Sequence, residues 1–253
     1  MNIVNGVIKD ATIEGIKFTA AILIPKGIKN ARTLAPLNSP LYIVVHNTGN
    51  TAYTAGDEAH ATYAQSVEDA DSVYLSWHFT VDADSITQHL PLNEHGWHAG
   101  DGNGIGNLNG IGIEIAENRD YEKCEENAIK LIQALMAQLN VPIERVQPHR
   151  KFSSIKKLCP WRILKSQSTW ESDWKAFQAR ISSASTPATV STATSKAITI
   201  GTTVRVTGTT YATGQQIPGW VKASTLTVQQ INGDKALVKP INSWVYIKDL
   251  EVV

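Results

Sequence analysis

The chain has 253 residues, and its 23 basic and 23 acidic side chains give a formal net charge of zero at pH 7. This balance argues against strong nonspecific binding of nucleic acid, which depends on an excess of positive charge. Hydrophobic residues make up 42% of the chain, which is enough to build a core and excludes wholesale disorder.

The chain start and the cysteine content bear on the cell compartment in which we expect the protein to be made. The first residues, MNIVNGVIKDATIEG, have no basic segment followed by an apolar run, so we expect no secretory signal. No apolar stretch approaches the roughly 18 residues that a membrane span needs, so we expect no membrane insertion. Cys124 and Cys159 are the only cysteines, too few for a disulfide framework. We therefore expect synthesis in the cytoplasm, with a separate exit route for any action outside the cell.

The first half of the chain alternates strand and helix patterns. The run LYIVVH (41–46) is nearly continuous in apolar residues, as a buried strand would be. Residues 57–70 have helical spacing, and LSWHFTVD (75–82) and GIGIEIAE (110–117) alternate as strands do. The expected buried faces are Ala59, Tyr63, Ser66, Val67 and Ala70 in the helix, Leu75, Trp77, Phe79 and Val81 in the first alternating strand, and Ile111, Ile113 and Ile115 in the second.

Two more helices follow. In DYEKCEENAIKLIQALMAQLN (120–140), Asp120 is a natural N-cap, Asn140 suits a left-handed C-terminal position, and Pro142 prevents continuation. Cys124 lies on the apolar stripe of this helix and is therefore interpreted as a core residue. TWESDWKAFQARI (169–181) also has an apolar helical face. Strands that alternate with helices indicate an α/β layer fold.

A change in composition divides the chain. Residues 182–196, SSASTPATVSTATSK, are almost entirely Ser, Thr and Ala, which is typical of a linker. We therefore predict a first domain over 1–181, a linker over 182–197 and a second domain over 198–253. The second domain has short β-rich runs and turn signals such as NGD and IPG, which predict a small all-β barrel or sandwich.

Three separated residues form a candidate metal site. His149 and Cys159 flank a basic loop, and His46 ends the predicted strand 41–46. In a layered α/β fold, functional groups gather at strand ends. Two imidazoles and one thiolate would leave the fourth position of a zinc tetrahedron open, which is the pattern of a catalytic site. Taken singly, each residue is better explained as polar surface or core, so the spacing alone does not decide.

Four motifs occur in order and resemble one family. They are IVVHNTGN (43–50), SWHFTVDADSITQHLPLNEHGWHAGDGNG (76–104), NGIGIEIAEN (109–118) and PHRKFSSIKKLCPWRI (148–163). Together they resemble the zinc-dependent N-acetylmuramoyl-L-alanine amidases of phage lysins and bacterial autolysins, to which the peptidoglycan recognition proteins are related. The resemblance implies a mixed central β-sheet flanked by helices, with Zn²⁺ held in a surface groove by His46, His149 and Cys159. Non-catalytic recognition proteins of the family typically lack the cysteine, which this chain keeps.

The resemblance also implies two catalytic side chains. Glu114 has only Gly112 and Ala116 beside it on its strand face, which leaves room for a substrate, although a solvated glutamate would fit the pattern equally well. Lysins of this family often carry the catalytic glutamate in such a strand. Some relatives use a tyrosine instead, and here that position is Trp77, which has no acid–base chemistry. Lys157 stands at the offset of the family's lysine and is expected to hold an oxyanion, the alternative being a solvated loop lysine.

Other polar residues have weaker signals. His98 in GWHAG resembles a groove-lining family position and is expected to contact substrate, and His78 is expected to line or support the groove. His60, His89 and His95 are interpreted as surface residues. The glycine-rich GDGNGIGN (100–107) lacks the Lys-Ser/Thr of a phosphate-binding loop and is interpreted as a turn at the groove rim.

These observations predict a peptidoglycan hydrolase of the endolysin type, which cuts the amide between N-acetylmuramic acid and L-alanine of the stem peptide. Two alternatives remain open: a non-hydrolytic peptidoglycan-binding protein, and a zinc peptidase acting within the stem peptide. The tail, YATGQQIPGWVK followed by SWVYIKDLEVV, resembles bacterial Src-homology-3-type domains, which implies a cell-wall ligand for it. We expect such an enzyme to be made in the host cytoplasm and to reach the wall after release.

Overall fold

The computed structural model of the chain describes residues 1–25, 31–39, 41–70, 73–185, 198–222 and 224–252. The chain divides into two compact units, Met1–Pro187 and Ala188–Val253. The last helix of the first unit continues to Ser185, which is four residues into the predicted linker 182–197. The rest of that linker, residues 186–197, lies outside the described residues.

The described part of the first unit contains nine strands and six helices. The strands are β1 (Ile3–Val4), β2 (Val7–Ile8), β3 (Thr12–Ile13), β4 (Ile16–Ala20), β5 (Tyr42–Asn47), β6 (Phe79–Val81), β7 (Ser85–Gln88), β8 (Gly110–Ile115) and β9 (Val146–Pro148). The helices are α1 (Asp57–Ala70), α2 (Ile105–Leu108), α3 (Tyr121–Leu139), α4 (His149–Phe152), α5 (Trp161–Leu164) and α6 (Trp170–Ser185). A 3-10 turn, Ile143–Arg145, precedes β9.

Seven of these strands form one mixed sheet, in the order β3-β4-β7-β6-β8-β5-β9. β5 pairs in parallel with β8 on one side and with β9 on the other, and β8 pairs in parallel with β6. β6 and β7 are antiparallel, as are β3 and β4. The predicted mixed central sheet is therefore confirmed, and β1 and β2 form a separate two-stranded hairpin.

Helices cover both faces of the sheet. Ile111, Ile113 and Ile115 of β8 are fully buried in the main core, together with apolar side chains of α3 and α6. A smaller cluster joins Ala64 of α1 to Trp77 and to neighbouring apolar residues. Strand alternation sends successive side chains to opposite faces, so β8 turns its isoleucines to the main core and Gly112 and Glu114 to the other side.

Helix α3 follows its sequence signals closely. The Asp120 side chain accepts a hydrogen bond from the backbone N–H of Lys123 at 3.1 Å, as an N-cap does. Asn140 adopts the left-handed conformation, with φ 53° and ψ 46°. Cys124 is fully buried in the core, as predicted.

Helix α1 has the predicted bounds, but the face it buries is different. The expected stripe contained Ala59 and Tyr63, which are both exposed. The buried residues are instead Asp57, His60, Ala64, Val67 and Glu68. Polar side chains occupy this face because they have partners inside the protein. Glu68, for example, accepts a hydrogen bond from the backbone N–H of Arg32 at 2.8 Å.

The predicted strand over 75–82 is also shorter in the structure. Only Phe79–Val81 pairs as β6, and residues on both of its faces are buried. Thr80 lies on the strand face opposite to the expected buried residues, yet it is buried too. Its hydroxyl has partners there, because it accepts a hydrogen bond from Trp77 Nε1 at 2.8 Å and contacts His89 Nε2 at 2.9 Å. The polar alternation therefore marks a buried hydrogen-bond network and not a solvated face.

The second unit is a five-stranded antiparallel sheet with the order β13-β12-β11-β10-β14. Its strands are β10 (Thr203–Val206), β11 (Leu226–Asn232), β12 (Lys235–Lys239), β13 (Ser243–Tyr246) and β14 (Leu250–Val252), with one short helix, α7 (Gly219–Lys222), between β10 and β11. Alternating valines and leucines of these strands build a core of its own. The predicted all-β character is present, and closure of the sheet into a barrel stays a prediction. Among the residues described in both units, no helix is long and apolar enough to cross a bilayer.

Candidate metal centre

Three buried side chains from distant parts of the chain meet in the first unit. His46 lies in β5, His149 begins α4, and Cys159 lies in the loop before α5. One ligand atom from each lies within 4.8 Å of the others. Their exposed fractions are 2%, 8% and 4%, respectively. The structure thus brings together the three residues that were predicted as metal ligands.

The parallel strands explain how His46 and His149 come together. In the pairing of β5 with β8, His46 is opposite Glu114. In the pairing of β5 with β9, Val45 is opposite Pro148, the residue before His149. Because the carboxyl ends of parallel strands lie at one edge of a sheet, all three polar side chains emerge at the same place.

Backbone hydrogen bonds hold Cys159 against this edge. The backbone N–H of Arg150 donates to the Cys159 carbonyl at 3.0 Å, which closes the basic loop onto α4. The Cys159 N–H donates to the Lys157 carbonyl at 2.9 Å. The backbone N–H of Asn47 donates to the Cys159 sulfur, which lies 3.9 Å from His46 Nδ1.

Burial sets the protonation of the cluster. It lowers the pKa of His46 well below the ordinary value, and it lowers the pKa of His149 to about 4. Both imidazoles are therefore neutral, which is the form that binds metals. Burial also raises the pKa of the Cys159 thiol to about 12, with a further contribution from the nearby Glu114. A cation at the cluster would reverse this last effect, because metal coordination deprotonates a thiol.

The unsatisfied atoms of the cluster fit a cation. His149 Nδ1 and Glu114 Oε2 are both buried and have no hydrogen-bond partner among the described residues. Buried polar atoms without partners are rare in native proteins, and each calls for an explanation. The His149 ring already hydrogen-bonds the backbone of Ala99, which leaves Nδ1 available. A metal ion at this point would accept the lone pair that the protein leaves unused.

Glu114 and Lys157 stand beside the cluster. Glu114 leaves 18% of its side chain exposed, and its Oε1 atom lies 3.8 Å from His46 Nδ1. Burial raises the pKa of Glu114 to about 8, although the positive charge of Lys157 opposes this shift. Both residues line the same groove as the three candidate ligands, with a cavity volume of about 540 Å³. The structure thus places both predicted catalytic side chains at the cluster.

The two remaining predicted site residues, His78 and His98, have ring nitrogens that already have partners. His78 is fully buried, and both of its ring nitrogens are bonded to backbone: Nε2 lies 2.8 Å from the Glu94 carbonyl, and Nδ1 accepts from the Gly112 N–H at 3.0 Å. This side chain supports β8 and has no nitrogen free for a substrate. His98 lies in the groove wall, but both of its ring nitrogens are also occupied.

The structure also places in the groove wall residues that the sequence did not assign to the site. The wall includes His60, Tyr63 and Trp77. Tyr74 and Trp97 line an adjoining cavity of about 610 Å³, which shares His98 and His149 with the first. His60 was interpreted as a surface residue, yet it is only 8% exposed. His89 and His95 are buried as well, so the surface interpretation is wrong for all three.

Fold and site together define a protein with a His-His-Cys cluster and a carboxylate in an open groove. The sequence model of the N-acetylmuramoyl-L-alanine amidase family matches residues 36–162. The chain belongs to this family, and the predicted resemblance of the first unit is confirmed. The resemblance of the tail to Src-homology-3-type domains stays a prediction.

Named relatives agree with this assignment. The N-acetylmuramoyl-L-alanine amidase XlyA of Bacillus subtilis (strain 168) is 50% identical over 151 residues, which are 59% of this chain and 47% of the relative. The amidase CwlH of the same organism is 47% identical over 152 residues, covering 59% of this chain and 56% of the relative. The chain thus spans about half the length of the curated relatives it matches. The structure of the catalytic domain of XlyA has 45% identity and a TM-score of 0.56, and the match covers 66% of this chain and 99% of that domain.

The two cysteines allow a matched test of metal binding. Cys159→Ser replaces a thiolate ligand with a hydroxyl that stays protonated, so we expect zinc to bind much more weakly. Cys124→Ser changes the same atoms in the core of α3, away from the cluster, and should keep one zinc per chain. Metal analysis after dialysis, combined with chelator competition, measures both variants. Equal zinc affinity of Cys159→Ser and the parent would contradict the assignment of Cys159 as a ligand.

Proposed function

We propose that the protein is a peptidoglycan hydrolase that cleaves the amide between N-acetylmuramic acid and L-alanine of the stem peptide. The observation that carries this proposal is the convergence of His46, His149, Cys159, Glu114 and Lys157 on one open groove. Membership of the amidase family supports the choice of substrate and bond.

The donor set supports zinc as the metal. Two neutral imidazoles and one sulfur ligand leave the fourth tetrahedral position open, as catalytic zinc sites do. When bound in such a site, zinc polarises an amide carbonyl and lowers the pKa of a water molecule toward neutrality. His46, His149 and Cys159 would hold it.

Glu114 is the proposed general base. Its buried Oε2 atom has no hydrogen-bond partner in the described part of the chain, so it is available to take a proton from the attacking water and to deliver it to the leaving amine. Burial raises the pKa of this carboxyl toward the neutral range, where one group both accepts and releases a proton efficiently. Trp77, at the position of the tyrosine in some relatives, donates its ring N–H to Thr80 and has no proton to exchange with substrate.

Lys157 is the proposed oxyanion partner. Its side chain lines the groove, and its charge acts on His149 and Glu114. A cation held at that place stabilises the negative charge that develops on the carbonyl oxygen during attack on an amide. The backbone of Lys157 is also held in place, because its N–H donates to Ser153 Oγ at 3.2 Å.

The second unit is proposed to bind the cell wall. Its most exposed large aromatic side chain among the described residues is Trp220, which is 64% exposed, whereas Tyr211 packs partly against the core of the unit. Exposed aromatic surface suits contacts with glycan or peptide. We propose that the protein is made in the host cytoplasm and acts on the wall after release.

The function is tested by digesting purified cell walls and analysing the products by mass spectrometry. We expect stem peptides with a free alanine amine and glycan strands of unchanged length. Products cut within the stem peptide would identify a peptidase instead, and sedimentation with undigested wall would identify a binding protein.

Glu114→Gln keeps the shape of the side chain and removes its proton chemistry. We expect zinc to remain bound while kcat on a soluble muropeptide falls by about 100- to 10,000-fold, which is the usual contribution of a general base. Glu126→Gln, on the exposed side of α3, is the matched control and should retain parental kcat. A parental rate in zinc-loaded Glu114→Gln would mean that another group is the base.

The two units should separate the two activities. A catalytic fragment should keep the whole of α6, which ends at Ser185, because this helix buries Ile181 fully in the core. We expect residues 1–185 to hydrolyse soluble muropeptides at the full-length rate and intact walls more slowly, because the tail raises the local concentration of enzyme at the wall. Residues 198–253 should sediment with walls without cutting them. A tail that stays in the supernatant with walls of several species would remove the anchoring role.

A further inference from the structure

We propose that His98 is a positioning residue that fixes the tautomer and the ring orientation of His46, so that His46 offers an unprotonated Nδ1 to the metal. This inference rests on the proposed metal site, and it replaces the expected contact between His98 and substrate. It follows from the directions of two hydrogen bonds.

The first bond joins the two histidines. His46 Nε2 lies 3.1 Å from His98 Nδ1, and the two rings are nearly perpendicular, with an interplanar angle of 89°. The other nitrogen of His46, Nδ1, faces the cluster, at 3.9 Å from the Cys159 sulfur and 3.8 Å from Glu114 Oε1. Between the two histidines, one nitrogen must carry the proton and the other must accept it.

The second bond decides which nitrogen carries the proton. His98 Nε2 lies 3.1 Å from the carbonyl oxygen of Gly110. A carbonyl oxygen only accepts hydrogen bonds, so Nε2 of His98 is protonated. Both rings are buried and neutral, and a neutral imidazole has one ring proton, so His98 Nδ1 is an acceptor. His46 Nε2 is then the donor, and His46 Nδ1 has a free lone pair.

The position of His98 is itself tightly held. A Cβ atom on Gly112 would come within 2.8 Å of the His98 ring, so the ring lies against the strand where only glycine leaves space. The backbone N–H of His98 donates to Asn107 Oδ1 at 2.8 Å. Asn107 is fixed in turn by hydrogen bonds to Asp101 and to the Gly102 carbonyl.

This arrangement gives the glycine-rich segment 100–107 a role in the site. The segment was interpreted as a turn at the groove rim, but its last residues begin α2, and the Asn107 side chain in this helix holds the segment that carries His98. The chain of contacts runs from the loop through Asn107 and His98 to His46. Such outer contacts of metal-binding histidines typically change metal affinity by about 10- to 100-fold when they are removed.

The tautomer can be read directly in the metal-free protein. Long-range ¹H–¹⁵N correlation NMR distinguishes protonated from unprotonated ring nitrogens, and the His46 signals are assigned with a His46→Gln variant. We expect both His46 and His98 to be protonated at Nε2. A proton on His46 Nδ1 in the parent protein would overturn the proposal, and this measurement needs no His98 variant to fold.

Two substitutions then test the effect on the metal. His98→Leu removes the acceptor, so we expect zinc affinity to fall by about 10- to 100-fold in competition with a chromogenic chelator. His98→Asn places an amide oxygen near the former Nδ1, and it should keep the His46 tautomer and recover most of the zinc affinity. His95→Leu is the matched control, because the His95 ring is buried against Trp97 and lies outside the cluster.

The outcomes separate this inference from the proposed function. Parental zinc affinity in folded His98→Leu, or equal loss in both His98 variants, would show that His98 does not act through its acceptor nitrogen. Failure of the protein to cut walls would overturn the proposed function and leave these metal and tautomer measurements intact. Absence of zinc binding in the parent would overturn the metal site, and with it this inference.

Discussion

The parallel hydrogen bonding of β5 to β8 and β9 is the constraint on which the site depends. It sets His46 opposite Glu114 and brings His149 to the same edge. The register is fixed on the other face of the sheet, where the three isoleucines of β8 are fully buried. A slip of one residue would turn these isoleucines toward the groove and Glu114 into the core, so apolar packing on one face specifies the polar geometry on the other.

Burial acts on this polar cluster in two opposing ways. It keeps the imidazoles neutral, which suits metal binding, but it also disfavours the thiolate of Cys159 that a metal needs. The thiol is therefore protonated and lies 3.9 Å from His46 Nδ1, whereas His149 Nδ1 has no hydrogen-bond partner among the described residues. A bound cation would favour the thiolate and bind the free lone pair of His149, which would couple metal binding to the stability of the groove.

Much of this fold could be predicted from sequence because strong local signals and burial agreed. The sequence of α3 predicts an N-cap, an apolar stripe and a left-handed C-terminal residue, and the structure contains all three. The prediction of the buried face of α1 was wrong, because the sequence pattern does not distinguish buried polar residues such as His60 and Glu68 from solvated ones. Strands β1 to β4 were missed because segments of two to five residues are too short to show a period.

The candidate site could be predicted only in part for a similar reason. Strand ends and the family resemblance indicated His46, His149, Cys159, Glu114 and Lys157, and the structure gathers them in one groove. The hydrogen-bond partners of histidines are set by tertiary contacts, which no spacing in the sequence encodes. The sequence therefore could not show that the ring nitrogens of His78 bind backbone, or that those of His98 bind a backbone carbonyl and a neighbouring ring.

The groove has one geometric property with consequences for a polymeric substrate. The groove that contains the ligand cluster adjoins a second cavity, and the two share His98 and His149 in their walls. The wall formed by His98 and His149 is therefore common to both cavities, so a molecule that fills the ligand groove can continue past these two residues into the second cavity.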